Sequence, residues 1–430
     1  MDEVFILVTG TNSGLGLSIC RRLIDEFLSQ RPRNQSLNLI FTTRSTRKSN
    51  ETLAQLQSHL QSKNVLKDDL DRVTLKPEHV DLCDLLSVRA LSQRLLTSIP
   101  KLDILILNAG IAGFTGINWP RAIFLVMTDL IHSVTWPAGY CLTSMGNLIK
   151  KQTSFPDEPE LGEVFCANVF GHYMLTHNLM PLLEKCNAPG RVIWTSSLEA
   201  TRNAFDISDI QALKTPHAYE SVKYLTDVLV LTSPLSSTSP WVDTFSSSRK
   251  RSTRNSAINS IKPNMYIAHP GICATSIMPL LLPLYYAMMA AFLFARFLGS
   301  PWHVISSYRG AIASVWLSLS PQSTIDAAEA AYAALGGGRV KWGSACDRSG
   351  REKVVCTEVE GWGFGGVVGA PQLDGDRTRM RKRGAVDLTA EEKIEFEELG
   401  RKCWKEMEEL RVEWDAILDR AEEEERRPKS

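Results

Sequence analysis

The chain has 430 residues, enough for one large α/β domain with additions or for two ordinary domains. Its 48 Lys and Arg balance 48 Asp and Glu, so no global basic field marks it as a nucleic-acid binder. The nine cysteines contain no CxxC pair, which suits free thiols better than a disulfide framework, and His172 and His177 lack a third group at ligand spacing, which argues against a zinc site.

Residues 4–8 form a continuous apolar run closed by Gly10. That is the pattern of a strand buried on both faces, and it is too short for a secretory signal, so the chain is expected on the cytosolic side. A helical stripe follows at Leu15, Ile19, Leu23 and Phe27, then a strand at 37–43 and a helix at 50–60. Further strands are predicted at 73–80, 102–107, 191–195 and 265–269, with helices at 163–183 and 219–231. This alternation predicts an α/β fold, a doubly wound parallel sheet of Rossmann type over residues 1–335.

Four segments are additions to that plan. Residues 111–160 read as an apolar insertion rich in Trp, Ile and Leu. Residues 233–262 read as a Ser-rich insert whose basic cluster, Arg249, Lys250, Arg251 and Arg254, belongs to a solvated loop rather than to an anionic-surface contact. A Gly-rich linker is expected over 336–387. A charged C-terminal helix is expected over 388–430, opened by a Thr389–Glu392 capping box.

The chemistry starts at Gly10-Thr11-Asn12-Ser13-Gly14-Leu15-Gly16, between the first strand and the first helix. Glycines here let the backbone turn sharply and approach a pyrophosphate at the positive end of the helix. The spacing, TGxxxGxG, resembles the fingerprint of the short-chain dehydrogenase/reductase superfamily, with Gly10, Gly14, Leu15 and Gly16 at the cofactor. Arg44 closes the second strand, where arginine would pair with the 2′-phosphate of NADP and a carboxylate would select NAD. The resemblance implies that Asp81, after the third strand, and Asn108 of Asn108-Ala109-Gly110, after the fourth, flank the adenine and support the sheet.

Tyr219 and Lys223 stand four apart on a helix and therefore on one face. A cation beside the phenol is expected to draw its pKa from about 10 toward working pH and make it a usable proton donor. By the same resemblance, Ser197 at the end of Ile193-Trp194-Thr195-Ser196-Ser197 is the catalytic serine. The twenty-two residues between it and Tyr219 exceed the superfamily's usual gap and leave Ser196 as an alternative. Asn168 matches the asparagine that holds a proton-relay water. Thr275, in His269-Pro270-Gly271-Ile272-Cys273-Ala274-Thr275, matches the hydroxyl that holds the nicotinamide amide.

Within the superfamily the chain is similar to the 3-ketosteroid reductases of fungal ergosterol synthesis and their vertebrate 17-beta-hydroxysteroid dehydrogenase relatives. The similarity rests on Asn168-Val169-Phe170-Gly171-His172, the Ser197 spacing, and Tyr224-Leu225-Thr226-Asp227. It implies NADPH-dependent reduction of a 3-keto sterol during C-4 demethylation, with Tyr219 protonating the ketone oxygen and Lys223 and Asn168 returning the proton. Two alternatives are a reductase of another steroid or lipid ketone, and a non-catalytic scaffold among sterol-synthesis enzymes. Residues 277–295 carry no charged side chain and support a lipid substrate. They read as a membrane-contacting lid, ahead of a buried helix or a bilayer span, which places the chain at the cytosolic face of the endoplasmic reticulum or at lipid droplets.

Overall fold

The protein is described by a computed structural model covering residues 2–62, 67–247, 261–274 and 281–426. Four strands come first: β1 (Asp2–Val8), β2 (Gln35–Thr43), β3 (Val73–His79) and β4 (Ile104–Leu107). A short pair follows, β5 (Phe114–Ile117) and β6 (Cys141–Thr143), then β7 (Arg191–Thr195), β8 (Asn264–His269), β9 (Lys341–Cys346) and β10 (Glu352–Cys356). Eight of these make one sheet in the order β10-β9-β8-β7-β4-β1-β2-β3. It is parallel except between β9 and β10. The winding reverses between β1 and β4, and open α/β sheets bind ligands beyond the carboxyl ends of strands at such a point. All six strands expected from the sequence form, each within two residues of its expected ends.

Their apolar runs serve two layers at once, because successive side chains point to opposite faces. Ile6 and Val8 join helices Gly14–Gln30, Thr46–Gln61, Ile312–Leu319 and Gln322–Ala333 on one side. Phe5 and Leu7 join helices Leu85–Ser98, Gly171–Leu183 and Ala218–Thr232 on the other.

Two expectations are corrected. Residues 336–387 are not a linker, since β9 and β10 within them extend the main sheet. Strand β9 is buried along its whole length but reads Lys-Trp-Gly-Ser-Ala-Cys, with no apolar run to announce it. Its glycine is required by packing: a Cβ on Gly343 would lie 2.3 Å from His269 Nε2. The Ser-rich insert is also not all loop. Ser239–Ser246 is helical, and the ring of its buried Phe245 lies 4.3 Å from Tyr173, tilted, and 5.4 Å from Trp404, edge to face. The basic cluster at 249–254 lies outside the described residues.

The C-terminal helix runs from Ala390 to Arg426 and opens with the expected reciprocal cap. Glu392 N–H donates to Thr389 Oγ1 at 3.1 Å, and Thr389 N–H donates to Glu392 Oε2 at 3.0 Å. Trp404, Met407, Trp414 and Leu418 on one of its faces join the core of the second layer. The insertion at 111–160 places helices Trp119–Thr128 and Leu130–Thr135 between β5 and β6. Val134 there packs with Phe292 and Ala295 of helix Leu282–Phe297. Among the described residues no helix is long and apolar enough to cross a membrane.

Candidate active site

The turn after β1 is closed by contacts that exclude side chains. Gly10 has φ +70°, and a Cβ there would lie 2.7 Å from Ala109 Cα. A Cβ on Gly16 would lie 2.2 Å from Gly10 O. Asn108 Nδ2 donates to Thr9 O at 3.0 Å and to Gly10 O at 3.2 Å, while Thr9 Oγ1 accepts the Asn108 and Ala109 N–H groups. Ser13 makes no side-chain cap on helix Gly14–Gln30, so the positive end of that helix is left for a ligand. Glycines at 10, 14 and 16 beside an uncapped helix N-terminus suit a dinucleotide pyrophosphate. Arg44 is exposed directly after β2, and Asp81 follows β3 with its Oδ1 accepting the Cys83 N–H at 3.0 Å. Thr275 lies outside the described residues.

Beyond the carboxyl end of β7, the structure brings together Ser197, Tyr219 and Lys223. Buried Lys223 donates from Nζ to Thr195 O at 2.9 Å and lies 5.6 Å from the Tyr219 ring centroid. Burial pushes Lys223 down to about 8, with Asp227 opposing the shift. Burial also pushes the Tyr219 phenol up to about 12, opposed by the nearby Ser197 hydroxyl. The expected lowering of this phenol by the lysine is not seen: desolvation, then the nearby Glu199 and Glu220 carboxyls, drive the shift upward. A phenol so placed is favoured in its neutral, proton-bearing form.

Asn168 sits in a π-helical turn, Cys166–Phe170, that interrupts the helix running from Glu163 to Leu183. Such turns recur at functional sites. Its Nδ2 donates to Ile111 O and Val164 O, both at 2.8 Å. Its buried Oδ1 has no partner among the described residues, and Gly110 makes room for it. Behind it, His172 Nδ1 donates to Asn168 O at 3.2 Å and its Nε2 accepts from Thr9 Oγ1 at 2.9 Å. Burial pushes His172 down to about 3, so this neutral ring links the glycine turn to the asparagine. His177 is likewise committed, to Phe245 O and Arg411.

Several residues here escaped the sequence reading. Ser196 Oγ donates to Asp227 Oδ1 at 2.5 Å, which leaves Ser197 as the hydroxyl facing the phenol. Asp227 also pairs with Lys341 at 2.6 Å, and Lys341 Nζ donates to Ser197 O at 2.7 Å. Asp227 stood in the motif that follows Lys223 without a role assigned to it, and Lys341 is 114 residues further on. The carboxyls of Glu199 and Glu220 are buried near Tyr219, each with one oxygen unpartnered among the described residues. Phe114 of β5 lies over the site, 6.1 Å from the Tyr219 ring.

No protein-family model matches the chain. A 3-keto-steroid reductase of Aspergillus fumigatus is 58% identical over 98% of this chain and 96% of its own length. The Gibberella zeae protein of the same name is 40% identical, over 97% and 95%. That of Saccharomyces cerevisiae is 27% identical, over 85% and 92%. Among solved structures, a 7 alpha-hydroxysteroid dehydrogenase complexed with NADH and 7-oxo glycochenodeoxycholic acid aligns with TM-score 0.42 and 15% identity, over 74% of this chain and 88% of that one.

Burial, then the neighbouring Glu220, pushes Glu199 up to about 8. Its neutral form is thus favoured in the folded state, and the associated stability is full below the ordinary carboxylate range and lost as pH rises through about 8. Glu199→Gln removes that titration. Thermal melts from pH 4.5 to 8.5 are expected to show the wild type losing stability relative to this variant across the window, and parallel curves would contradict the buried-carboxyl assignment.

Proposed function

The chain belongs to the fungal 3-keto-steroid reductase family, and from that premise we propose that it reduces the 3-keto group of a sterol intermediate to the 3β-hydroxyl during C-4 demethylation in ergosterol synthesis, using NADPH. The observation that carries this reading is the placement of Ser197, Tyr219 and Lys223 beyond the end of β7. Gly10, Gly14, Leu15 and Gly16 would hold the pyrophosphate, Arg44 the 2′-phosphate, Asp81 and Asn108 the adenine side, and Thr275 the amide. When bound, the dinucleotide supplies the hydride.

The chain's own residues handle the oxygen and the proton. Ser197 hydrogen-bonds the ketone oxygen and steadies the negative charge that grows there. Tyr219, held neutral by burial, releases its phenolic proton to that oxygen. A neutral phenol favours reduction, since the reverse reaction needs a phenolate base. Lys223 lies beside the phenol to return a proton, and the free Oδ1 of Asn168 is an acceptor for a relay water.

The reading extends to a membrane surface. Ile123, Phe124 and Met127 are exposed on helix Trp119–Thr128, and Leu282, Tyr286, Phe294 and Phe297 on helix Leu282–Phe297, with Met127 at 82% and Phe297 at 69%. Large apolar side chains exposed in such number on neighbouring helices are of the kind that mark an interaction site. Two packed helices with such faces suit shallow insertion into a sterol-bearing bilayer, and we place that bilayer at the cytosolic face of the endoplasmic reticulum or at lipid droplets.

Three measurements check these assignments. Tyr219→Phe is expected to lower kcat on a 3-keto sterol by about a hundredfold or more while dinucleotide affinity stays within about twofold. Unchanged NADPH consumption would remove Tyr219 from the chemistry, and a wild type inactive on 3-keto sterols would refute the substrate. Arg44→Asp should reduce kcat/KM for NADPH roughly ten- to a hundredfold more than for NADH; equal losses would exclude a 2′-phosphate contact. In flotation with phosphatidylcholine vesicles, the wild type is expected to float and the double variant Phe124→Glu, Phe297→Glu to stay at the bottom. Equal flotation would rule out these helices as the contact.

A further inference from the structure

We infer that Lys341 is a positioning residue for ketone reduction, holding the loop that presents the Ser197 hydroxyl; this rests on the role proposed for Ser197. Three consecutive residues leave β7, and each is tied to a different buried charge. Lys223 holds Thr195 O at 2.9 Å, Asp227 accepts from Ser196 Oγ at 2.5 Å, and Lys341 holds Ser197 O at 2.7 Å. The Lys341–Asp227 ion pair, 2.6 Å long, joins the second and third ties, and both side chains are at most 3% exposed.

The sheet register explains how β9 supplies this charge. β9 is parallel to β8 but enters late, with Lys341 opposite Ile267, two residues before the end of β8 at His269. Thr195, the last residue of β7, pairs with Ala268. The first residue of β9 therefore arrives at the height where the Ser197 loop begins. Burying a lysine there is costly, and an apolar pair of similar volume would often be equally or more stable. What an apolar pair could not do is donate to a carbonyl in the loop. A cavity of about 430 Å³, lined in part by Asp227, Lys341, Arg202, Glu360 and Lys382, lies against the pair and gives the longer guanidinium of Lys341→Arg room.

The test uses the full chain. Lys341→Met is expected to lower kcat about ten- to a hundredfold with KM and NADPH affinity within about twofold, while Lys341→Arg keeps kcat within about threefold of wild type. Placed on Ser197→Ala, Lys341→Met should cost less than about twofold more, because the hydroxyl it positions is already gone. Hydrogen exchange of the peptide covering 195–200, which needs no substrate, is expected to quicken in Lys341→Met with wild-type protection elsewhere in the sheet. If Lys341→Met does not fold, Lys341→Met with Asp227→Asn, which strands no charge, is held to the same criteria. A folded variant with wild-type kcat, a full multiplicative loss on Ser197→Ala, or unchanged exchange at 195–200 would overturn the inference. A wild type that turns over no 3-keto sterol would instead defeat the functional reading and leave the exchange result standing.

Discussion

The site depends on keeping three charges, Lys223, Asp227 and Lys341, out of water beneath one loop. Removing either partner of such a pair leaves an uncompensated buried charge, at a cost of about 3–5 kcal/mol. The arrangement persists because each charge has a partner: one ion pair, two backbone carbonyls and a serine hydroxyl meet the three groups. Burial that depresses Lys223 also raises the Tyr219 phenol, so the same desolvated floor that ties the serine loop favours the protonated phenol.

The rest of the fold supports that floor from two directions. On the cofactor side, Thr9 and Asn108 fasten the glycine turn to the end of β4, and neutral His172 carries the connection on to Asn168. On the opposite side, the C-terminal helix backs the helix that bears Asn168. Glu408 accepts from the Tyr173 hydroxyl, Arg411 bridges Glu408 and Asp415, and Arg89 of helix Leu85–Ser98 reaches Asp415 and Asp419. Trp404 and Trp414, fully buried, supply the apolar contact around these pairs. The charged tail is therefore an outer layer of the same core.

The insertion after β4 borders Tyr219 and the apolar helix that follows β8. Its first strand lays Phe114 over Tyr219, and its helices pack on the apolar helix that follows β8. Glu199 and Glu220, both pushed up by burial, add a second desolvated pair on this side of the tyrosine.

Much of this was legible in the sequence where the cause is local. Strands buried on both faces must be continuously apolar, glycines that touch backbone cannot carry a Cβ, and residues four apart share a helix face. Those constraints determined the first six strands of the parallel sheet, the dinucleotide turn, the Tyr219–Lys223 pair and the Thr389–Glu392 cap. Only the tertiary structure decided that β9 belongs to the sheet, that Ser196 is taken by Asp227, that burial raises the Tyr219 phenol, and that Lys341 reaches the Ser197 carbonyl. The reason is the same in each case: these outcomes depend on which distant groups exclude water from one another, and a strand of small residues begun by a lysine carries no periodic signal of what it will be packed against.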